Sequence, residues 1–292
     1  MYNFYLGSRT DLKRDPRKFL IAIKRMLPRW ANSLPDPEYN VLIDLLDSMA
    51  ARKKPVFVET GAGASTIALI HFAMLRGGHA YSWDMNSSKG SFIRSVCAET
   101  LEMFHQKPIS SHWTFFSSSS LSTHTGLPIL GKLTQRVDLS LHDSDHTWNN
   151  VKGEIEVIIP LLRAGSVVCV DDANQDMVHT YEPIINVTRR KLGLQPIAPL
   201  PGNRGRPLYE RVPQLLESRF ASVKPAEINI GKYARDDLYY PWYQLNRGND
   251  LAWYQFERKN GSAGEALRSQ THVKRFGAWQ VSGARVRKSA PS

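Results

Sequence analysis

The stretch that most constrains the fold is V-F-V-E-T-G-A-G-A-S-T-I-A-L-I at residues 56–70. Its first three residues form a short apolar run that is typical of a β-strand, and Glu59 ends that run. Gly61 and Gly63 allow a sharp turn and leave room for a ligand against the backbone. Ser65 suits a helix N-terminus. The stretch therefore predicts a strand, a glycine turn and a helix, which together build a nucleotide or nucleoside site in α/β proteins.

Strand and helix patterns continue to alternate beyond this stretch. Apolar runs predict strands at 79–84, 113–116, 137–142 and 167–170, and amphipathic patterns predict helices at 88–105 and 149–164. Such alternation predicts an α/β fold, with a Rossmann-like, doubly wound and mostly parallel sheet and helices on both faces. Ligands of such sheets bind beyond the carboxyl ends of the strands.

The chain divides into three predicted segments. Amphipathic patterns at 16–27 and 37–51 predict an N-terminal helical extension, residues 1–50. Residues 51–258 form the predicted ligand-binding domain, with a last strand at 251–256. Residues 259–292 are rich in Gly, Ser and Arg, which predicts a basic, flexible tail.

The net charge of +11 is concentrated at the two ends of the chain. Residues 1–30 hold eight Lys or Arg against two Asp, and residues 258–292 hold eight against one Glu, so the body is slightly acidic. This argues against a nucleic-acid-binding body, while contact of the basic ends with an anionic surface stays open. There are two cysteines, no secretory signal and no apolar run long enough to span a bilayer, so we expect a cytoplasmic protein.

Acidic residues follow several of the predicted strands. Asp84 lies 21 residues beyond Gly63, a spacing at which a carboxylate accepts hydrogen bonds from both hydroxyls of a ribose. Nicotinamide dinucleotides and S-adenosylmethionine both use such a residue.

Three further aspartates predict a metal site. Asp143 follows one strand, and Asp171 and Asp172 follow its neighbour, so their mutual repulsion in one cleft would be relieved by a divalent cation. All-oxygen ligation suits Mg²⁺, Mn²⁺ or Ca²⁺ better than zinc. Two simpler interpretations stay open: Asp145 or Thr147 caps the next helix, and the paired aspartates are turn residues.

Two histidines, His142 and His146, flank the D-S-D motif that contains Asp143 and Asp145. The D-x-D-H spacing places His146 near the same cleft, and we take it as a candidate catalytic residue. His142 is interpreted as structural.

Taken in order, these motifs resemble those of class I S-adenosylmethionine-dependent methyltransferases. The similarity is strongest to the group of macrocin and other sugar O-methyltransferases and cephalosporin hydroxylase-like proteins, the methyltransferase family 24 type. The resemblance covers roughly residues 40–190. It is carried by four motifs, which are E-T-G-A-G-A-S-T, the acid after the second strand, D-S-D-H and the final D-D. Ser144 replaces the usual glycine of D-G-D-H.

The resemblance implies a role for each matching position. Glu59, Gly61 and Gly63, within the loop that ends at Ser65, would line the methionine part of the cofactor, and Asp84 would hold its ribose. Because a serine run replaces the usual acid near the adenine, Ser118 or Ser119 would bind the adenine. The remaining implied roles are those of cofactor contact and metal ligand for Asp143, metal ligands for Asp171 and Asp172, and general base for Asp145.

The predicted function is therefore metal-assisted O-methylation of a sugar, phenol or other small molecule, with S-adenosylmethionine and Mg²⁺ as cofactors. An aromatic segment formed by Tyr239, Tyr240, Trp242 and Tyr243 is a candidate wall of the acceptor pocket. Alternatives are an NAD(P)-dependent oxidoreductase, a nucleic-acid-binding or nucleic-acid-methylating protein, and a fold that binds cofactor without catalysis. Assembly into a homo-oligomer is also left open.

Overall fold

The computed structural model describes residues 16–173, 189–195, 207–228, 233 and 276–285. A seven-stranded sheet forms its centre, in the order β3-β2-β1-β4-β5-β7-β6. The strands are β1 Val56–Thr60, β2 His79–Asp84, β3 Trp113–Ser117, β4 Val137–His142, β5 Leu162–Val170, β6 Phe220–Pro225 and β7 Gly277–Arg285. The α-helices are α1 Pro16–Met26, α2 Asp36–Ser48, α3 Ala64–Arg76, α4 Ser87–Cys97, α5 Met103–His105, α6 Leu130–Leu133, α7 Trp148–Ile158 and α8 Leu208–Glu217.

Strands β1 to β5 are parallel, and β7 runs antiparallel between β5 and β6. The carboxyl ends of the first five strands therefore share one edge of the sheet, where the predicted acidic residues meet. The order of the chain reverses direction between β1 and β4, the place where parallel sheets bind ligands. The predicted fold class, a Rossmann-like and mostly parallel sheet with an N-terminal helical region, is confirmed.

Two separate hydrophobic cores cover the two faces of the sheet. Successive strand residues alternate between them: Phe57 belongs to the core packed by α1 to α4, and Val58 to the core packed by α7 and α8. In β5, Val168 likewise belongs to the core packed by α7 and α8, and Cys169 belongs to the core packed by α1 to α4. Burial on both faces explains why these strands read as continuous apolar runs rather than alternating ones.

The N-terminal helices are held to the body partly by a buried ion pair. Lys24 on α1 is fully buried, and its Nζ lies 2.7 Å from Oδ1 of Asp36, the first residue of α2. The other oxygen of Asp36 accepts a hydrogen bond from Nε of Arg25 at 2.9 Å. Asn32, between the helices, donates to the backbone oxygen of Lys24. This connecting segment lies against the glycine turn, because a Cβ on Gly63 would be 3.3 Å from the backbone oxygen of Ala31.

The sequence misplaced one boundary between helix and strand. The helix predicted at 149–164 ends at Ile158, a 3₁₀ turn covers Ile159–Leu161, and β5 begins at Leu162. Pro160 lies in that turn, where its missing N–H cannot continue a helix. Gly165, the residue after the predicted helix, is inside β5 at φ +82°, beside a register irregularity with β4.

The C-terminal part of the chain also differs from its prediction. Strands β6 and β7 were not predicted, and β7 lies inside the segment expected to be a flexible tail. Its backbone pairs with β5 and β6, and Trp279 and Val281 are buried, so residues 277–285 are part of the sheet. The strand predicted at 251–256 and the aromatic segment at 239–243 fall outside the described residues. The other proposed domain bounds stay predictions.

Within the described ranges, no helix has the length and apolar character needed to cross a membrane.

We predict that Asp36→Ala lowers the free energy of unfolding by about 3 kcal/mol, because it removes the carboxylate beside a buried ammonium group. Asp47→Ala is the matched control, since the Asp47 side chain is 71% exposed, and we expect a change within about 0.5 kcal/mol. Urea unfolding measures both. Equal effects of the two variants would show that the buried pair does not secure the N-terminal helices.

Candidate functional site

A cavity of about 360 Å³ opens at the carboxyl ends of the parallel strands. Loops after β1, β2, β3 and β4 form its wall. The lining residues are Gly61, Trp83, Asp84, Met85, Lys89, Ser118, Ser119, Ser120, Asp143, Ser144, Asp145 and Asn150. Of the residues predicted to bind a cofactor, Gly61, Asp84, Ser118 and Asp143 meet here, together with the predicted general base Asp145.

Gly61 brings the loop after β1 into direct contact with the loop after β4. Its φ of +85° belongs to the left-handed region, and a Cβ there would lie 1.8 Å from the backbone oxygen of Asp143. The amide of Asp143 donates to the backbone oxygen of Thr60, and the Gly61 amide donates to that of Trp83. Only glycine therefore permits the approach that puts Asp143 beside the glycine turn.

Glu59 and Ser65 lie behind the cavity wall. The Glu59 carboxylate is fully buried and accepts hydrogen bonds from Ser65 Oγ at 2.8 Å and Ser82 Oγ at 2.6 Å. Burial raises the pKa of Glu59 to about 7, even though these hydroxyl donors lower it. Gly63 has an extended φ and precedes α3, with its amide donating to Thr66 Oγ1. These residues shape the turn, and direct cofactor contact by them stays a prediction.

Asp84 ends β2 at the cavity wall. Its Oδ2 lies 2.9 Å from Nζ of Lys89, and its Oδ1 accepts the amide of Asn86 at 2.8 Å. A ribose that binds Asp84 would share this carboxylate with Lys89, which also lines the cavity. The sequence analysis did not single out Lys89.

The serine run after β3 forms the wall beside Asp84. Ser118 donates to the backbone oxygen of Thr125 at 2.9 Å, and the indole nitrogen of Trp83 donates to the same oxygen. Ser118 and Ser119 line the cavity together with Asp84, and adenine binding by either serine stays a prediction.

An acidic cluster with one histidine borders the cavity. Ligand atoms of Asp143, His146 and Asp171 all lie within 4.8 Å of one another. His146 Nε2 is 3.5 Å from Asp143 Oδ1 and 4.0 Å from Oδ2 of Asp172. The three predicted aspartates are thus brought together, and His146, predicted as catalytic, is placed among them as a candidate ligand.

Electrostatic repulsion marks this cluster. Burial, followed by the charges of Asp171 and Asp172, holds the pKa of Asp143 well above its usual range. Asp172 adopts a left-handed φ of +48°, which turns the chain directly after β5. Two carboxylates and an imidazole within 4.8 Å of one another, with Asp172 beside the imidazole, form a donor set that fits a divalent cation.

The helix after the cluster is capped by Thr147. Its Oγ1 accepts the amide of Asn150 at 3.4 Å, as the simpler interpretation of this segment proposed. Asp145 Oδ1 accepts the amide of Thr147 at 3.2 Å, yet its exposed side chain also lines the cavity. Asp145 is therefore free of the cluster and open to a ligand.

Glu154 is the main polar residue that the sequence analysis missed. It is fully buried on α7, beneath Ser120, Ser144 and Asn150 of the cavity wall. His142, interpreted as structural, lies with its Nδ1 2.9 Å from Glu154 Oε2. A signal was present: Glu154 falls on the buried face of α7 with Val151 and Ile155, where an acid needs hydrogen-bond partners.

The site lies inside a segment that matches a protein-family model. Residues 58–173, which contain all the lining residues and the acidic cluster, match a family model described as a methyltransferase domain. Among curated proteins, no match to the chain was found.

Several solved structures are similar in fold. The O-methyltransferase TomG from Streptomyces achromogenes, in complex with SAM, is 14% identical over 92% of this chain and 90% of its own, with a TM-score of 0.47. An O-methyltransferase from Bacillus cereus, in complex with SAH, is 16% identical over 66% of this chain and 86% of its own, with a TM-score of 0.40. TDP-rhamnose 3'-O-methyltransferase, an enzyme in calicheamicin biosynthesis, is 17% identical over 66% and 91%, with a TM-score of 0.39.

We predict that Glu59 makes stability depend on pH. Its folded pKa of about 7 exceeds the ordinary value of 4.5. The stabilisation from the protonated carboxyl is therefore complete below pH 4.5 and is lost as the pH rises through 7. The free energy of unfolding of Glu59→Gln should fall less over this range, by about 3 kcal/mol at most. Urea unfolding at several pH values measures this, with exposed Glu99→Gln as the control. Parallel pH profiles of wild type and Glu59→Gln would contradict it.

Proposed function

We propose that this chain, whose residues 58–173 match a family model described as a methyltransferase domain, transfers a methyl group from S-adenosylmethionine to a hydroxyl oxygen of a sugar or another small molecule, assisted by a divalent cation. One observation carries the proposal. A single cavity wall joins Gly61 and Asp84, the candidate donor contacts, to Asp143 of the acidic cluster and to Asp145. Donor and acceptor groups would therefore meet in one space.

The donor would lie along the glycine turn and the end of β2. When bound, S-adenosylmethionine supplies an electrophilic methyl carbon on a cationic sulfur. Asp84 would accept hydrogen bonds from the ribose hydroxyls, and Ser118 or Ser119 would bind the adenine edge. The methionine part would lie against Gly61, which lines the cavity beside the backbone of Asp143, and the neighbouring carboxylates favour a cationic ligand.

The cation would be held by Asp143, His146 and Asp171, with Asp172 close to His146. The geometry supports this set, because its ligand atoms lie within 4.8 Å of one another. A bound divalent cation lowers the pKa of a hydroxyl that approaches it. The imidazole nitrogen makes the set suitable for Mn²⁺ as well as for Mg²⁺.

The remaining chemistry is alignment and proton removal. In methyl transfer a bond forms between the acceptor oxygen and the methyl carbon, the bond from that carbon to sulfur breaks, and the hydroxyl proton leaves. Asp145 would take the proton, because its exposed carboxylate lines the cavity beside the cluster. The cavity wall would hold the two reactants in line, which is the main task of such an enzyme.

We expect Asp84→Ala to weaken the binding of S-adenosylmethionine by about tenfold to a hundredfold, because two hydrogen bonds to a charged group are lost. Calorimetry measures the dissociation constant. Asp47→Ala, which removes an exposed acid that is not among the cavity-lining residues, should bind like wild type. Absence of binding by the wild-type protein, or equal binding by Asp84→Ala, would refute this placement of the donor.

We expect Asp171→Ala to lose Mn²⁺ binding and at least about a hundredfold in methyl transfer, while S-adenosylmethionine binds within about threefold of wild type. Manganese binding is measured by electron paramagnetic resonance. Transfer of labelled methyl is followed to a panel of sugars, phenols and glycolipids, with exposed Glu99→Ala as the control. Transfer that is unaffected both by a chelator and by Asp171→Ala would eliminate the metal from the proposal.

A further inference from the structure

The buried carboxylate of Glu154 lies behind the cavity wall and forms hydrogen bonds with residues of β1, β4, α7 and the loops after β3 and β4. Thr60 Oγ1 at the end of β1 donates to Oε2 at 2.8 Å, and His142 Nδ1 at the end of β4 lies 2.9 Å from the same oxygen. On Oε1 it accepts from Ser120 Oγ at 2.5 Å, from Ser144 Oγ at 2.6 Å and from Asn150 Nδ2 at 2.9 Å.

These donors keep Glu154 ionised despite its burial. Burial by itself raises the pKa of a carboxyl, but here the donors, led by His142, lower it below the ordinary value. An ionised carboxylate only accepts hydrogen bonds. Each neighbouring hydroxyl must therefore direct its proton toward Glu154, and the facing nitrogen of His142 must carry its own proton.

The direction of these hydrogen bonds determines which groups Ser120 and Ser144 present to a ligand. Ser120 and Ser144 both line the cavity, and each has a single hydroxyl proton, which is committed to Glu154. Ser144 Oγ also accepts a hydrogen bond from Asn150 Nδ2 at 3.0 Å. Each serine oxygen therefore keeps lone-pair capacity, but no proton, for a ligand. This part of the wall thus presents acceptors and partial negative charge, which suits a cationic ligand better than a neutral one of the same shape.

We propose that Glu154 is a positioning residue that fixes the hydroxyls of Ser120 and Ser144 as acceptors, so that the cavity binds the cationic methyl donor in preference to its neutral thioether product. The inference rests on the proposed function, since it concerns how the same cavity distinguishes S-adenosylmethionine from S-adenosylhomocysteine. Glu154 itself lies behind the wall and acts through the serines.

The test is Glu154→Gln. The amide keeps the size of the side chain, removes the negative charge and donates hydrogen bonds of its own, which frees serine hydroxyls to turn their protons toward the cavity. We expect the dissociation constant of S-adenosylmethionine to rise about tenfold and that of S-adenosylhomocysteine to rise less than about threefold. Calorimetry with each ligand gives the two constants, and circular dichroism establishes that the variant is folded.

Glu156→Gln is the matched control. It removes the same charge from the same helix, but its side chain is 42% exposed and faces Lys152, so both constants should stay at wild-type values. If Glu154→Gln does not fold, the same two dissociation constants are measured for Ser144→Ala, because this variant deletes one of the acceptors. There we expect about a threefold loss for S-adenosylmethionine and a smaller one for S-adenosylhomocysteine.

The outcomes separate this inference from the proposed function. A wild-type protein that binds neither ligand would overturn both. Wild-type binding, together with an unchanged ratio of the two constants in folded Glu154→Gln, or in Ser144→Ala where the first does not fold, would overturn the positioning role alone. Lower thermal stability with an unchanged ratio would show that Glu154 only supports the fold.

Discussion

The contact between the glycine turn and the loop after β4 is what the rest of the site depends on. Gly61 lies so close to the backbone of Asp143 that no side chain fits between them. The hydrogen bond from the Asp143 amide to Thr60 extends the pairing of β1 with β4 to this point. Because the two loops touch, the candidate donor site and the acidic cluster form one cavity rather than two separate clefts.

Glu59 and Glu154 are both buried behind the cavity wall, but their surroundings shift their pKa values in opposite directions. Glu59 accepts from the hydroxyls of Ser65 and Ser82, and burial outweighs them, so its pKa rises to about 7. Glu154 has five donors, including the ring of His142, and its pKa falls. A glutamate is thus more readily protonated than usual at the end of β1 and less readily protonated than usual on α7.

Local patterns predicted the parts of the chain whose structure depends on near neighbours. The strand, turn and helix at 56–70 and the acids at the ends of β2, β4 and β5 are where the sequence placed them. The predicted resemblance to methyltransferases is confirmed for residues 58–173, which match a family model described as a methyltransferase domain. Patterns did not reveal β6 and β7, because β7 gains its stability by pairing with β5, which lies more than a hundred residues earlier.

By itself, the sequence determined the parallel sheet, the glycine turn and the identity of the acids at the strand ends, since periodicity and residue type act over a few positions. Only the tertiary structure decided which acids face the cavity and which lie behind it. In the folded chain, Glu59 and Ser65 lie behind the cavity wall, and His146 lies among the aspartates. The hydrogen-bond donors to Glu154 likewise come from separate segments of the chain. The reason is physical: hydrogen bonds and charges act through space, and contacts between distant segments exist only once the strands have aligned in the sheet.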